Sequence, residues 1–220
     1  MGYSLAEQVT FCCVSGHLVF LDVRHDRYFC LGDELEPVFQ VLLAAGGEGV
    51  DGVERLVSAG VIDSGKGAPS PIAQSDIPSP SVSLLDLQLP ARPHSARTVA
   101  EVAWRLCRAK MDLKRRTLRT NLDAVRVRRR PAVKDIMYQA RVISLAAAFN
   151  QARRSVPLAP RCLPDALALL DFLGSRQVFP DLVFGVRLNP FGAHCWVQSG
   201  DMVLNDRADH TWLHTPILAV

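Results

Sequence analysis

A cysteine, a histidine and an aspartate follow one another near the C-terminus as Cys162, His194 and Asp206, separated by 32 and 12 residues. Cys162 stands where a Pro-bounded loop, Pro157 to Arg161, gives way to a strongly helical run. At a helix N-terminus, unpaired backbone N–H groups and the positive end of the dipole favour the thiolate, the nucleophilic form of cysteine. A downstream histidine can take the thiol proton and later give one to a leaving amine, while an aspartate holds the imidazole through its other nitrogen. The chemistry on offer is nucleophilic attack on an acyl group.

Spacing alone leaves other readings open. A single helical cysteine is often a small buried hydrophobe, and a strand histidine is often only a satisfied polar group. Metal binding is the chemical rival, since Cys162, His194, Cys195, Asp206, His210 and His214 offer many ligand types and the last two histidines are four residues apart. Pro216 follows them closely and no glutamate adjoins either histidine, which argues against the helical metalloprotease pattern. No metal and no other cofactor is expected.

Periodicity identifies the elements that would position these groups. Leu163, Ala166, Leu167, Leu169, Leu170 and Leu173 make a broad apolar face on a helix that Gly174 is placed to end. Asp181 to Leu188 predicts a strand, Asn189 to Gly192 a turn, and Ala193 to Gln198 a returning strand. A second turn, Ser199 to Asp201, leads into Met202 to Asp206. Alternation sends His194 and Trp196 to one face and Cys195 and Val197 to the other, so only one of His194 and Cys195 is expected to face Cys162. With His194 in that place, Cys195 becomes a packing residue.

Composition sets the class. The chain has 220 residues, 49% hydrophobic and 21% charged, which suits a globular protein with one ordinary core or two small ones. No apolar run reaches membrane-spanning length, and the first residues lack the basic start and apolar stretch of a signal peptide, so a cytoplasmic location is expected. Six cysteines without a C-x-x-C pair suggest neither a disulfide framework nor a zinc knuckle.

Charge is unevenly spread. Residues 1–63 carry three Arg against ten Asp/Glu, a net of −7, whereas residues 97–130 carry twelve Lys/Arg against three Asp/Glu, a net of +9. The asymmetry predicts at least two modules. The basic stretch has helical periodicity through Val99, Val102, Leu106, Leu113 and Leu118, interrupted at Pro131, with a further helix over Asp135 to Arg154. It lacks the aromatic interleaving of single-strand binders, and no nucleic-acid partner is expected.

The first module, 1–63, reads as a small α/β unit. Val9 to Val14 and His17 to Val23 form a hairpin about Ser15-Gly16, and Tyr28 to Leu31 supply a third strand. Asp33 with Glu36 predicts a capping box before a helix bearing Val38, Phe39, Val41, Leu42 and Leu43, and a second helix runs over Asp51 to Ser58. The last strand, Arg27, Tyr28, Phe29, Cys30 and Leu31, would lie at a sheet edge, where an extended peptide can add through main-chain hydrogen bonds. Residues 64–96 have the Ser, Pro and Gly content of a linker, with a short apolar patch from Val82 to Leu89 able to dock on a neighbour. Residues 97–220 form the second domain.

The strands Leu18 to Asp22 and Arg27 to Gly32, with the helix that follows, resemble the PqqD-like elements that bind leader peptides in ribosomal peptide biosynthesis. Arg161 to Leu169, Phe184 to Val186, Ala193 to Val197, Val203 to Asp206 and the ending Thr215 to Leu218 resemble the lasso-peptide B proteins, over most of Arg97 to Val220. That resemblance implies an α+β fold: a small three-stranded, winged-helix-like module, then a papain- and transglutaminase-like domain of helices on an antiparallel sheet. It implies a cysteine endopeptidase with Cys162 as nucleophile, His194 as base and acid, and Asp206 as orienter. The implied substrate is a precursor peptide whose leader is held by the first module, and the implied partner is an asparagine-synthetase-like lasso cyclase. A transglutaminase-like acyl transferase and a non-catalytic peptide-binding scaffold are the alternatives. Cys195 stands where that family often has alanine.

Overall fold

The computed structural model describes residues 2–65, 72, 77–87, 95–128 and 136–220. Much of the 64–96 stretch lies outside the described residues, as do Pro131 and Asp135. The chain divides into two units, Met1–Asp76 and Ile77–Val220.

In the first unit, β2 (Val9–Val14), β3 (His17–Asp22) and β4 (Arg27–Cys30) form an antiparallel sheet in the order β2-β3-β4. Ser15 and Gly16 take φ of 51° and 87°, the left-handed pair that a tight hairpin turn needs. Asp22 organises the next turn: its carboxylate accepts from the His25 backbone N–H at 3.1 Å and from Arg27 Nε at 3.2 Å. Two helices, α1 (Glu36–Ala44) and α2 (Val53–Ser58), bury Phe39, Leu42, Val53 and Leu56. Phe39 meets Phe20 edge-on at 5.0 Å and Phe11 at 5.2 Å, and these rings centre the core.

One local expectation fails in this unit and one pairing was not anticipated. Asp33 does not cap α1; the N-cap is Leu35, with no side-chain cap bond, because a turn at Gly32 already delivers the Gly32 carbonyl to the Leu35 and Glu36 N–H groups. A further strand pair, β1 (Gly2–Leu5) with β5 (Ile62–Gly65), closes the unit from its two ends. Pairing across some sixty residues leaves no local signature in the chain.

The second unit is a five-stranded sheet with helices against it. The order is β10-β7-β8-β9-β6, from β6 (Val82–Ser83), β7 (Asp181–Arg187), β8 (Gly192–Ser199), β9 (Met202–Val203) and β10 (Thr215–Ala219). It is mixed rather than antiparallel, because β6 runs parallel to β9, with Val82 opposite Met202. Ser83 and Leu84, from the apolar patch in the linker stretch, are buried there. The basic stretch is two helices, α3 (Ala96–Arg115) and α4 (Leu118–Arg128). The break follows from chemistry: Arg116 is extended, and the Thr117 hydroxyl accepts from the Thr120 N–H at 3.2 Å, capping a new helix.

Helix α5 (Ile136–Arg154) and α3 flank α6 (Cys162–Gly174), which buries Pro164, Ala166, Ala168, Leu169, Phe172 and Leu173 and packs on β8. Arg105 of α3 ties the C-terminal end of α6: it binds the carboxylate and carbonyl of Asp171 and the Ser175 hydroxyl. Thus the apolar spacing read in the sequence becomes the central helix of the unit. Its first residue is Cys162.

Candidate active site

Residues before α6 fix where the helix begins. Arg161, the N-cap, is extended, and Pro164 fits the first turn, where no N–H partner is needed. Arg153, at the end of α5, reaches across to this corner. Its guanidinium donates to Asp165 Oδ2 at 3.2 Å, to the Val156 carbonyl at 3.2 Å and to the Leu158 carbonyl at 2.9 Å. One arginine therefore holds both the approach loop and the first turn that presents Cys162.

The second group comes from β8. Gly185 of β7 pairs with His194, and Phe184 with Cys195. Asp206 lies just beyond β9, before the short helix α7 (Ala208–Thr211). Its position is set from three directions. Ser83 donates its hydroxyl to the Asp206 carbonyl, the Arg207 N–H donates to Oδ1 at 2.8 Å, and Asn150 of α5 donates to the Leu204 carbonyl at 2.7 Å.

These constraints bring the three sequence-predicted residues together. His194 Nε2 donates to Asp206 Oδ2, and the His194 side chain also bonds Cys162, leaving Nδ1 as the nitrogen for the thiol. The Cys195 thiol and its backbone N–H lie near enough to Cys162 to favour its thiolate. Cys195 thus influences Cys162 as well as packing in the core.

The surroundings set the protonation states. Hydrogen bonds from Cys195 and then His194 bring the Cys162 thiol down to about 4, against its partial burial. Burial alone would lower His194, but its bonds to Asp206 and Cys162 outweigh that and lift it to about 9. Asp206 is held below the usual carboxylate range: burial opposes this, and the bonds from His194, His210 and the Arg207 N–H prevail. Cys195 is pushed far up, by its bond to Cys162 and by burial, so it stays a thiol. At neutral pH the site holds a thiolate beside an imidazolium. That pair is the ground state of an activated cysteine nucleophile.

Two further histidines crowd the site. His210 Nδ1 donates to the same Asp206 Oδ2 at 2.8 Å, and His214 Nδ1 donates to the His210 carbonyl at 3.1 Å. Their rings lie 4.5 Å and 5.3 Å from that of His194. His194, Asp206 and His210 offer ligand atoms within 4.8 Å of one another, whereas Cys162 and Cys195 fall outside that group. The i, i+4 relation between Asp206 and His210 was the available signal for this contact. Ser83 carried no comparable signal, because it acts from 123 residues away, and Arg153 reaches a loop and a helix turn with no periodic relation to it.

The edge-strand residues belong to the first unit and are described there alone. Arg27 to Cys30 form β4 at one edge of the three-stranded sheet, with Cys30 exposed and Tyr28 and Phe29 half-buried. Arg27 is bound to Asp22 and lies 5.2 Å over the Phe29 ring, while Leu31 is buried in the core. Among the described residues, no helix is long and apolar enough to cross a membrane.

Comparison with known proteins gives two matches. Residues 106–219 match the family described as the transglutaminase-like superfamily. Over 45 residues the chain is 47% identical to the microcin J25-processing protein McjB of Escherichia coli. That stretch is 20% of this chain and 22% of McjB, so it covers about a fifth of either protein. No solved structure matches the chain.

Proposed function

Because the chain belongs to the transglutaminase-like superfamily, we propose that it is a cysteine endopeptidase that removes the leader from a ribosomally made lasso-peptide precursor. The observation that carries this reading is the bond from His194 to Asp206 with Cys162 beside them at the start of α6, an arrangement that draws the thiol down and lifts the imidazole. The local similarity to a microcin J25-processing protein supports the substrate class.

The residues divide the work as follows. Cys162 Sγ attacks the scissile carbonyl carbon, and the imidazolium of His194 protonates the departing amine. The developing oxyanion is met by the backbone N–H of Cys162 at the start of α6. Water then enters: His194, now neutral, takes its proton as the hydroxyl adds to the acyl carbon, and the leader leaves as a free acid. Asp206 keeps the imidazole aligned and stabilises its charge throughout.

The first unit serves as a PqqD-like leader-binding module, with Arg27, Tyr28, Phe29 and Cys30 offering the edge to which the leader adds and Leu31, buried just past it, anchoring the strand's end. Tethering recognition to cleavage raises the local concentration of the scissile bond, so the protease site need read only a few residues. The core peptide leaves with a new N-terminal amine, the group that an asparagine-synthetase-like cyclase would join to an acidic side chain. The chain acts in the cytoplasm, where such precursors are made.

Incubating the full chain with a precursor and weighing the products tests this. Two fragments whose masses sum to precursor plus water are expected, and none with Cys162→Ala. Cleavage surviving that substitution would overturn the assignment. The same three residues could pass the acyl group to an amine, the reaction for which the superfamily is named; a mass gain without cleavage would select that reading, and leader binding without either would leave a scaffold.

A further inference from the structure

Asp206 Oδ2 receives two imidazoles at once, and this arrangement has a use beyond orientation. His194 Nε2 and His210 Nδ1 both point at that single oxygen, the second at 2.8 Å. All three ligand atoms lie within 4.8 Å of one another. Ligands bound to a tetrahedral zinc ion at about 2.0–2.1 Å stand about 3.4 Å apart. No pair is farther apart than 4.8 Å and the Asp206–His210 pair is closer than the zinc spacing, so shifts of roughly an ångström or a little more let one ion replace the two shared protons.

We propose that His194 Nε2, Asp206 Oδ2 and His210 Nδ1 form an inhibitory zinc site, in which Zn2+ occupies the orienter and the base together and switches the site off. Two imidazole nitrogens and one carboxylate oxygen select a borderline ion such as zinc over the hard ions calcium and magnesium. Three protein ligands leave a fourth position for water. The surrounding bonds fit this use: Asp206 Oδ1 is held by the Arg207 N–H, and the His210 backbone by His214. The His210 side chain is 49% exposed, which provides the ion's way in. No bond to carbon forms or breaks; the ion takes two ring nitrogens and releases their shared protons.

Inhibition rests on the peptidase reading, but binding does not, so the two are measured apart. Equilibrium dialysis of the full chain against ZnCl2, with bound metal counted per chain, gives the binding arm. Other cysteines will take some zinc, so the quantity read is the difference between variants. Wild type is expected to hold one equivalent more than His210→Ala or Asp206→Asn, and Cys162→Ala to hold as much as wild type. Equal zinc on wild type and His210→Ala would overturn the site, and loss of that equivalent in Cys162→Ala would reassign it to thiols. In the cleavage arm, zinc should stop wild type reversibly to EDTA. His210→Ala, scaled to its own zinc-free rate, should need at least about tenfold more zinc. Equal sensitivity would overturn the inhibitory role. No cleavage by zinc-free wild type would count against the peptidase reading and leave the dialysis result standing.

Discussion

Trp196 lies across Gly185, in the space that any side chain there would need. A Cβ on Gly185 would stand 2.8 Å from Cη2 and Cζ3 of the indole and 3.0 Å from the His214 Cβ. Gly185 is also the residue paired with His194, whose ring stacks at 6.0 Å on Trp196. The missing side chain therefore lets the indole lie flat beneath the base, where its N–H donates to Gln198 Oε1 at 2.8 Å. Rigid ring atoms on one side and a main-chain-proximal Cβ on the other leave little room to yield.

Gly185→Ala is accordingly expected to overpack this corner. Its cost should be about 1–3 kcal/mol in unfolding free energy, measured by urea titration. Activity should fall by more than stability accounts for, because the displaced indole carries His194 with it. A variant as stable and active as wild type would show that the close contact is not a constraint.

Activity should depend on pH through a bell. The competent form needs Cys162 deprotonated and His194 protonated. With Cys162 at about 4 and His194 at about 9, that form is populated between these values. Below the lower value the thiolate takes up a proton and the rate falls; above the upper one the imidazolium loses the proton owed to the leaving amine. Asp206→Asn removes the carboxylate that lifts His194, so the alkaline limb should move to lower pH and kcat/KM should drop by about a hundredfold or more. A pH–rate profile of kcat/KM for both proteins checks the sign; an unmoved alkaline limb would contradict it.

Cys195 is expected to tune Cys162 without taking part in bond making. Its thiol is the largest influence drawing Cys162 down, and its own ionisation is strongly suppressed. Cys195→Ala removes that donor and should raise the pH at which Cys162 becomes reactive, while the backbone N–H and His194 still hold it below an ordinary thiol. The rate of Cys162 alkylation by iodoacetamide against pH reads this without any peptide substrate. An unchanged midpoint would show that the Cys195 donor contributes nothing.

What could be read from the chain was local. Cys162 stood out because a proline-bounded loop meets a helical apolar period; that helix is central and buries Ala166, Leu169 and Leu173 of the expected face, but Pro164, Ala168 and Phe172 are buried in place of Leu163, Leu167 and Leu170, which are half-buried. His194 followed from a strand flanked by turn residues, and β7 and β8 pair in the expected hairpin. The residues that went unread act at a distance in sequence. Ser83 fixes the Asp206 carbonyl from 123 positions away, and β6 joins the sheet in a parallel register that no turn announces.

Arg153 makes the sharpest of the structural predictions. Its side chain is 14% exposed and that of Asp165 17%, and Asp165 Oδ1 is buried without a partner. Burial already raises the Asp165 carboxyl above its ordinary value, and the charge of Arg153 is the largest influence resisting that rise. Arg153→Met keeps the aliphatic length but strips the donors from Asp165 and from the Val156 and Leu158 carbonyls together. Breaking one partner of such a pair costs about 3–5 kcal/mol, and here two carbonyls are freed as well. Part of that cost should be recovered in Arg153→Met with Asp165→Asn, which removes the uncompensated charge but not the loosened loop. Denaturant unfolding of both variants measures the charge contribution, and the alkylation rate of Cys162 in each reads the loop. If the double variant regains stability while Cys162 labelling stays altered, Arg153 positions the nucleophile as well as neutralising Asp165; if labelling returns to the wild-type rate with the charge removed, the loop contacts are incidental.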